Sequence, residues 1–336
     1  MEDYRQIIDD ALRSFIQKQP DENMYKHMEY FLGFRDEHLS EVSIETGKRF
    51  RPLLTLMIAN DYGGYKKALS AAVSIELFHN FSLIHDDIVD NDTLRRGRKT
   101  VWKAFGTHNA INSGDAQLLL ACRVLLEDEA LEASTVIRLQ TYLLEKYQMV
   151  AEGQALDFAL AEKSFSDEVV NEETYRMMTT KKTAVLIGAA TAVAGIVSQK
   201  SEKEIQLLYD YGTELGLGYQ LYDDYVSLWG TESATGKQKF GDIIERKKNL
   251  PALYAYQKAS AEGKQQLLSV YEATNPLARE EVALVLNLIE KSGAEAYMKE
   301  TIEKQKDRIE HLRNDLSLSK ETNEYLHKLE SRLLST

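Results

Sequence analysis

Apolar residues return every three or four positions along most of this chain, the period of a helix with one buried face. On that template helices are predicted from Tyr4 to Ile16, Lys26 to Leu39, Leu53 to Asn60, Lys67 to Asp90, Asn109 to Glu127, Leu131 to Leu160, Lys182 to Val197 and Glu202 to Trp229, with several more to the end. The total comes to about a dozen helices. Alternating Val, Ile and Thr runs separated by turn dipeptides are not found, so a β-sheet domain has little support.

Local signals point the same way. Pro52, Pro251 and Pro276 each stand just ahead of an apolar-periodic run, where the first helical turn tolerates a missing N–H. Asn275 with Pro276 reads as cap and first turn, and Ser201 with Glu204 as a capping box opening the helix towards Tyr222. Ser166 followed by Asp167 and Glu168 reads as another helix start. No Gly/Ser-rich or Pro-rich linker interrupts the pattern, so residues 1–336 are read as a single all-α domain. The Lys- and Glu-rich C-terminal part reads as amphipathic helices with solvated charged faces.

Composition narrows the function classes. With 336 residues, 43% of them hydrophobic, the chain can bury a large core. A net charge of -12 argues against a nucleic-acid partner, which would require a basic surface. Cys122 is the sole cysteine, so no intramolecular disulfide can form, and a reducing cytoplasmic setting is expected. Met1 through Asp10 is acidic and lacks an apolar run, unlike a secretory signal. The longest apolar stretch, Ala184 to Ser198, falls short of the roughly 20 residues that cross a bilayer. It is expected to be a buried helix, and no transmembrane segment is inferred.

The candidate chemistry lies in clustered charges. In His85-Asp-Asp-Ile-Val-Asp90, the four-residue step puts Asp86 and Asp90 on one helical face, where two carboxylates repel unless a cation joins them. Alone this pattern is compatible with a solvated face. Five residues on comes Arg95-Arg96-Gly97-Arg98-Lys99, which is either a surface ion-pair network or the cationic half of a metal–diphosphate site. In the second case acids would hold Mg²⁺ through oxygen while guanidinium groups grip phosphate oxygens. A second acidic pair, Asp223-Asp224, sits in an aromatic and aliphatic helix where unpaired burial would cost several kcal/mol. Cations follow again in Thr235-Gly-Lys237 and in Gly241 to Lys248. Near the start, Gly47-Lys48-Arg49-Phe50-Arg51-Pro52 is a third basic cluster, readable also as a plain surface patch or a nuclear-localisation-like run.

Taken in order, these motifs resemble the trans-isoprenyl diphosphate synthases over nearly the whole chain. Residues 47–52 resemble that family's first basic motif, and His79 through Arg96 its first aspartate-rich motif with trailing arginines. Glu152-Gly-Gln154 to Asp157, Lys182-Thr183, Tyr219 to Asp224, and Gly236-Lys237 with Asp242 and Lys247 continue the series. The resemblance implies a bundle of antiparallel helices around a central cavity, and a homodimer. It implies an Mg²⁺-dependent prenyltransferase joining isopentenyl diphosphate head to tail to an allylic diphosphate.

Residue by residue, the resemblance implies that Asp86 and Asp90 ligate two Mg²⁺ ions and Asp223 a third, with Arg95, Lys182 and Lys247 on the allylic diphosphate. Lys48, Arg51, His79 and Arg96 would hold isopentenyl diphosphate. Thr183 joins the substrate-binding set, and Lys237 and Gln220 would face the reaction centre. The leaving diphosphate itself would take the final proton, so no nucleophilic triad is needed. Ser227 stands where the family's second motif usually ends in an aspartate; activity is expected to survive, because Asp223 is the direct ligand. Three other readings stay open: a class I terpene cyclase, against which the Lys48/Arg51/His79 set speaks; a non-catalytic partner subunit, for which Ser227 speaks; and a prenyltransferase with a peptide or aromatic-ring acceptor.

Product length is expected to be set before Asp86. Phe81 lies about 7.5 Å and Phe78 about 12 Å back along the helix axis, while Ser82, on the face of Asp86, is small. The resemblance implies that the aromatic at Phe81 is a partial stop, giving a fifteen- or twenty-carbon product with geranylgeranyl diphosphate slightly favoured. Phe78 and Phe81 could equally be plain core.

Overall fold

The computed structural model describes residues 3–44, 47–230 and 240–334. Within them the chain is all-helical except for one two-stranded hairpin and an isolated bridge between Arg35 and Glu41. The helices divide into two compact units: residues 1–147, 189–209 and 318–322 form the first, and residues 148–188, 210–317 and 323–336 the second.

The first unit is built from α1 (Tyr4–Gln17), α2 (Asn23–Leu32), α3 (Phe50–Asp61), α4 (Leu69–Val89), α5 (Val101–Phe105) and α6 (Thr107–Leu126), with the first part of α7 (Ala133–Ala161). α4 is its axis. Every residue from Ala71 through Phe78 is buried, and α4 packs along α6. Polar side chains inside this seam find backbone partners: Ser74 Oγ donates to the Ala121 carbonyl at 2.6 Å, and Gln117 Nε2 to the Leu77 carbonyl at 3.0 Å. A hairpin of β1 (Leu94–Arg95) and β2 (Arg98–Lys99) follows α4 and turns through Arg96 and Gly97, both at positive φ. Thus the basic run after Asp90 is a tight turn that presents its cations from a fixed backbone.

The second unit takes the rest of α7, α8 (Glu172–Thr179), a π-turn (Thr180–Ala184), the start of α9 (Val185–Val197) and the later part of α10 (Glu202–Trp229). α11 (Gly241–Ile244), α12 (Leu250–Lys258), α13 (Ala261–Tyr271), α14 (Arg279–Ser292), α15 (Ala294–Asp315) and most of α16 (Lys320–Leu333) complete it. Its core gathers Phe165, Tyr175, Leu221, Leu228, Ile243, Leu267, Val285 and Met298. The apolar stretch Glu172–Val197 is long and apolar enough to cross a membrane, but 78% of its most apolar window is buried inside the protein, as a core helix requires.

Sequence signals place most helices closely, and α10 matches residue for residue. Its capping box is formed, with Ser201 N donating to Glu204 Oε2 at 3.1 Å and Glu204 N to Ser201 Oγ at 3.3 Å. Pro251 stands in the first turn of α12 behind Asn249, whose Oδ1 accepts from Ala252 N. Three expectations are corrected. α2 stops at Leu32, seven residues short of Leu39, because Gly33 turns left-handed (φ 89°) and Phe34 N closes on the Glu29 carbonyl. Ser166 lies in a turn with Ser164; the helix opens at Glu172, where Asn171 Oδ1 caps Thr174 N. Beyond Pro276 the helix opens at Arg279, with the Glu281 carboxylate reaching back to Ala278 N at 2.7 Å.

Candidate functional site

In the first unit the acidic run closes α4. Asp90 is its C-cap, its N–H bonded to the Asp86 carbonyl at 2.8 Å, so the two aspartates stand one turn apart on one face. Acids at a helix C-terminus oppose the helix dipole, and a cation between them relieves both repulsions. Asp87 is turned about 100° round the helix from Asp86 and is fully buried. Arg95 Nε donates to its Oδ1 at 2.6 Å, but burial outweighs that charge and pushes the Asp87 carboxyl up to about 6. Asp87 therefore anchors the hairpin arginine, while Asp86 (half-buried) and Asp90 (exposed) face outward.

The nearby cations have unequal tasks. Arg98 forks onto the carbonyls of Tyr30 (2.7 Å) and Arg35 (2.6 Å) and lies over the Tyr30 ring, so it clamps the hairpin to α2. Arg49, at φ 47° ahead of α3, is 3% exposed and bonds Asp9 Oδ1, Glu76 Oε1 and the Leu32 carbonyl. Its neighbour Lys48 is exposed and Arg51 half-buried. Arg51 Nη1 lies 3.0 Å from His79 Nε2, and the Arg96 guanidinium rests against Gly47. His79 is held well below its ordinary value of 6.5, first by burial and then by Arg51, Arg96, Arg95 and Arg49. A neutral ring accepting from Arg51 follows. Four of the expected substrate contacts, Arg51, His79, Arg95 and Arg96, thus gather with Asp86 and Asp90 in one unit.

In the second unit Asp224 is 3% exposed and accepts from Tyr175 OH (2.6 Å), Gln220 Nε2 (2.9 Å) and Leu250 N (3.3 Å). Burial and the charge of Asp242 raise it to about 7. It ties α8 and α12 to α10, leaving the half-buried Asp223 as the outward acid of the pair. Ser227 Oγ turns back to the Asp224 carbonyl at 2.9 Å. Lys182, on the π-turn, donates to Asp157 at 2.5 Å, and Thr183 Oγ1 donates to Gln220 Oε1 at 3.2 Å. Lys247 pairs with Glu245 (2.6 Å) and lies 3.6 Å from Asp242. Lys237 lies outside the described residues.

Towards the body of α4, Phe78 is 3% exposed and stacks flat on Tyr147, with ring centroids 3.8 Å apart. Phe81, half-buried, meets the His85 ring edge-on at 4.9 Å, and Ser82 Oγ donates to the His79 carbonyl. The supporting roles of Asp87, Arg49, Asp224 and Tyr175 have no signature of their own in the sequence. For the three charged residues the nearest signal is adjacency to an expected contact, and for Tyr175 there is none.

The outward acids of each unit are of the kind that suits magnesium. Asp86 and Asp90 in the first unit, and Asp223 in the second, offer hard carboxylate oxygens, and among the described residues no three His, Cys, Asp or Glu side chains converge. Mg²⁺ takes one or two carboxylates and fills its octahedron with water and substrate phosphate, so a sparse set suffices where a caged ion would need more.

Residues 36–289 match the family model of polyprenyl synthetase. The (2E,6E)-farnesyl diphosphate synthase of Mycobacterium tuberculosis strain H37Rv is 34% identical over 276 residues, which span 81% of this chain and 75% of that relative. A crystal structure of geranylgeranyl pyrophosphate synthase superposes with a TM-score of 0.87 at 31% identity, covering 98% of this chain and 97% of that one. The geranylgeranyl pyrophosphate synthase of Corynebacterium glutamicum, solved in complex with isoprenyl diphosphate and magnesium, superposes at 0.84 with 25% identity, covering 99% and 98%.

Proposed function

Because the chain belongs to the polyprenyl synthetase family, we propose that it condenses isopentenyl diphosphate head to tail with an allylic diphosphate, releasing diphosphate and a linear trans-prenyl diphosphate of fifteen or twenty carbons. The observation that carries the reading is the local arrangement at the end of α4. Asp86 and Asp90 face outward on one turn, Asp87 faces inward to fix Arg95, and Arg51, His79 and Arg96 stand in the same unit.

Asp86, Asp90 and Asp223 are the carboxylates that would hold Mg²⁺, three ions when substrate is bound. Bound magnesium would supply positive charge to the leaving diphosphate, the condition for breaking its bond to carbon. Arg95, Lys182 and Lys247 grip the allylic diphosphate, Lys237 faces the reaction centre, and Lys48, Arg51, His79 and Arg96 hold the diphosphate of isopentenyl diphosphate. The neutral His79 serves as a hydrogen-bonding partner that orients Arg51 and carries no charge of its own. With Thr183 and Gln220, the bonded pair on the π-turn and α10, these residues orient the alkene and the allylic carbon and take no covalent part. The departing diphosphate removes the final proton.

The whole chain acts as one synthase domain, in the cytoplasm and as a homodimer. Support for the dimer comes from exposed apolar residues on one face of α6, Ile111 (40%), Leu119 (70%) and Leu126 (63%), and from the exposed Ile137 and Leu144 of α7. The deciding assay supplies radiolabelled isopentenyl diphosphate with dimethylallyl, geranyl or farnesyl diphosphate, with magnesium present or chelated, and sizes the dephosphorylated products. Label in fifteen- or twenty-carbon alcohols, lost on chelation, is expected. A hydrocarbon from geranylgeranyl diphosphate alone would mark a cyclase, and no turnover a partner subunit.

A further inference from the structure

Lys181 and Lys182 ride on the π-turn, and that turn is wedged between two glycines of neighbouring helices in the second unit. A Cβ at Gly153 of α7 would stand 2.3 Å from the Lys182 nitrogen and 2.7 Å from its Cα. A Cβ at Gly216 of α10 would stand 2.6 Å from the Ala184 Cα and 2.9 Å from its Cβ. The obstructed atoms are mostly backbone, which cannot swing aside as the end of a long side chain can. A π-turn carries an extra residue, so it is wider than the α-helix on either side. The two glycines are where the neighbouring helices make room for that width.

The same helix faces supply the partners of the turn's side chains. Four residues past Gly153, Asp157 accepts from Lys182 Nζ; one residue before it, Glu152 accepts from Lys181 Nζ at 2.8 Å. Four residues past Gly216, Gln220 accepts from Thr183 and itself donates to the buried Asp224. Backbone seat and side-chain tether therefore coincide at both ends of the turn. Any outward push on the turn would move the Lys182 ammonium relative to Asp157.

We propose that Gly153 and Gly216 are positioning residues for Lys182, the missing side chains at both setting where its ammonium meets the allylic diphosphate. The inference rests on the role of Lys182 proposed for the condensation. Neither glycine touches substrate; each acts through the turn.

The test is a double-mutant cycle on the full chain with Gly153→Ala, Lys182→Met and both together, followed by steady-state kinetics in each substrate. Gly153→Ala is expected to raise KM for farnesyl diphosphate on the order of tenfold, the scale of a small misplacement of a charged contact, while KM for isopentenyl diphosphate stays within about twofold. Combined with Lys182→Met it should add little, since the seat has nothing left to position. Additive losses, or equal rises in both KM values, would assign Gly153 to general stability and overturn the proposal. If Gly153→Ala does not fold by circular dichroism, the Gly216→Ala cycle decides the matter from the other end of the turn; if neither variant folds, the glycines are structural and the proposal falls. A Lys182→Met enzyme with unchanged KM for farnesyl diphosphate would instead refute the role of Lys182, a distinct outcome.

Discussion

Arg95 Nε donates to Asp87 Oδ1 at 2.6 Å, joining the basic hairpin to the end of the acidic helix through a carboxylate with no solvent exposure. This pair divides the aspartate run into an inward anchor and two outward acids. Replacing Asp87 by Ala is expected to cost about 1.5–3 kcal/mol, the scale of a hydrogen bond to a charged group. Urea unfolding would register the loss, and KM for the allylic diphosphate should rise in parallel because Arg95 loses its tether.

Neighbouring cations should separate stability from binding. Arg49→Ala leaves the buried Glu76 without its ion-pair partner and should destabilise the fold by about 3–5 kcal/mol. Lys48→Ala, at an exposed position, should leave the urea midpoint nearly unchanged and raise KM for isopentenyl diphosphate.

His79 gives a pH dependence with a definite sign. Burial and four arginines hold its folded pKa well below the ordinary 6.5, so below that pH the unfolded chain takes a proton that the folded chain resists. Its contribution to stability is present above pH 6.5 and is lost as pH falls from there towards the lowered folded value. Asp87 and Asp224, raised to about 6 and about 7, act in the opposite sense, so the test is a difference: on going from about pH 7.5 to pH 5.5 the thermal midpoint of His79→Gln should rise relative to that of the unsubstituted chain.

Phe81 and Phe78 should differ in their effects. Phe81→Ala is expected to lengthen the product by at least one isoprene unit, read by sizing the alcohols after dephosphorylation. Phe78→Ala removes a ring stacked on Tyr147 and should cost about 3–5 kcal/mol in unfolding free energy. If Phe81→Ala left the product distribution unchanged, the stop that sets product length would have to be sought elsewhere.

Leu119, 70% exposed on α6, should report on the proposed homodimer. A Leu119→Glu substitution is expected to convert the dimer to monomer in light scattering while leaving the helical circular dichroism intact. A wild-type chain that is already monomeric at micromolar concentration would refute the dimer.

What the sequence determined by itself was local. Helical hydrogen bonds span four residues, so periodicity places α1, α6 and α10, the Ser201–Glu204 box closes as its spacing predicts, and the four-residue step sets Asp86 and Asp90 on one turn. Where a short-range alternative competes, as at the left-handed Gly33 or the Asn171 cap, periodicity alone runs past the true end or begins too early. What tertiary structure decided was which of two adjacent like charges goes inside. Arg49 is buried and Lys48 is not because Asp9 and Glu76 lie within reach of one of them; Asp224 is buried and Asp223 is not because Tyr175 and the N–H of Leu250 converge on one side of α10. Those partners come from as far as 49 residues away along the chain, so their convergence depends on how the helices pack, which no pattern of neighbouring residues records.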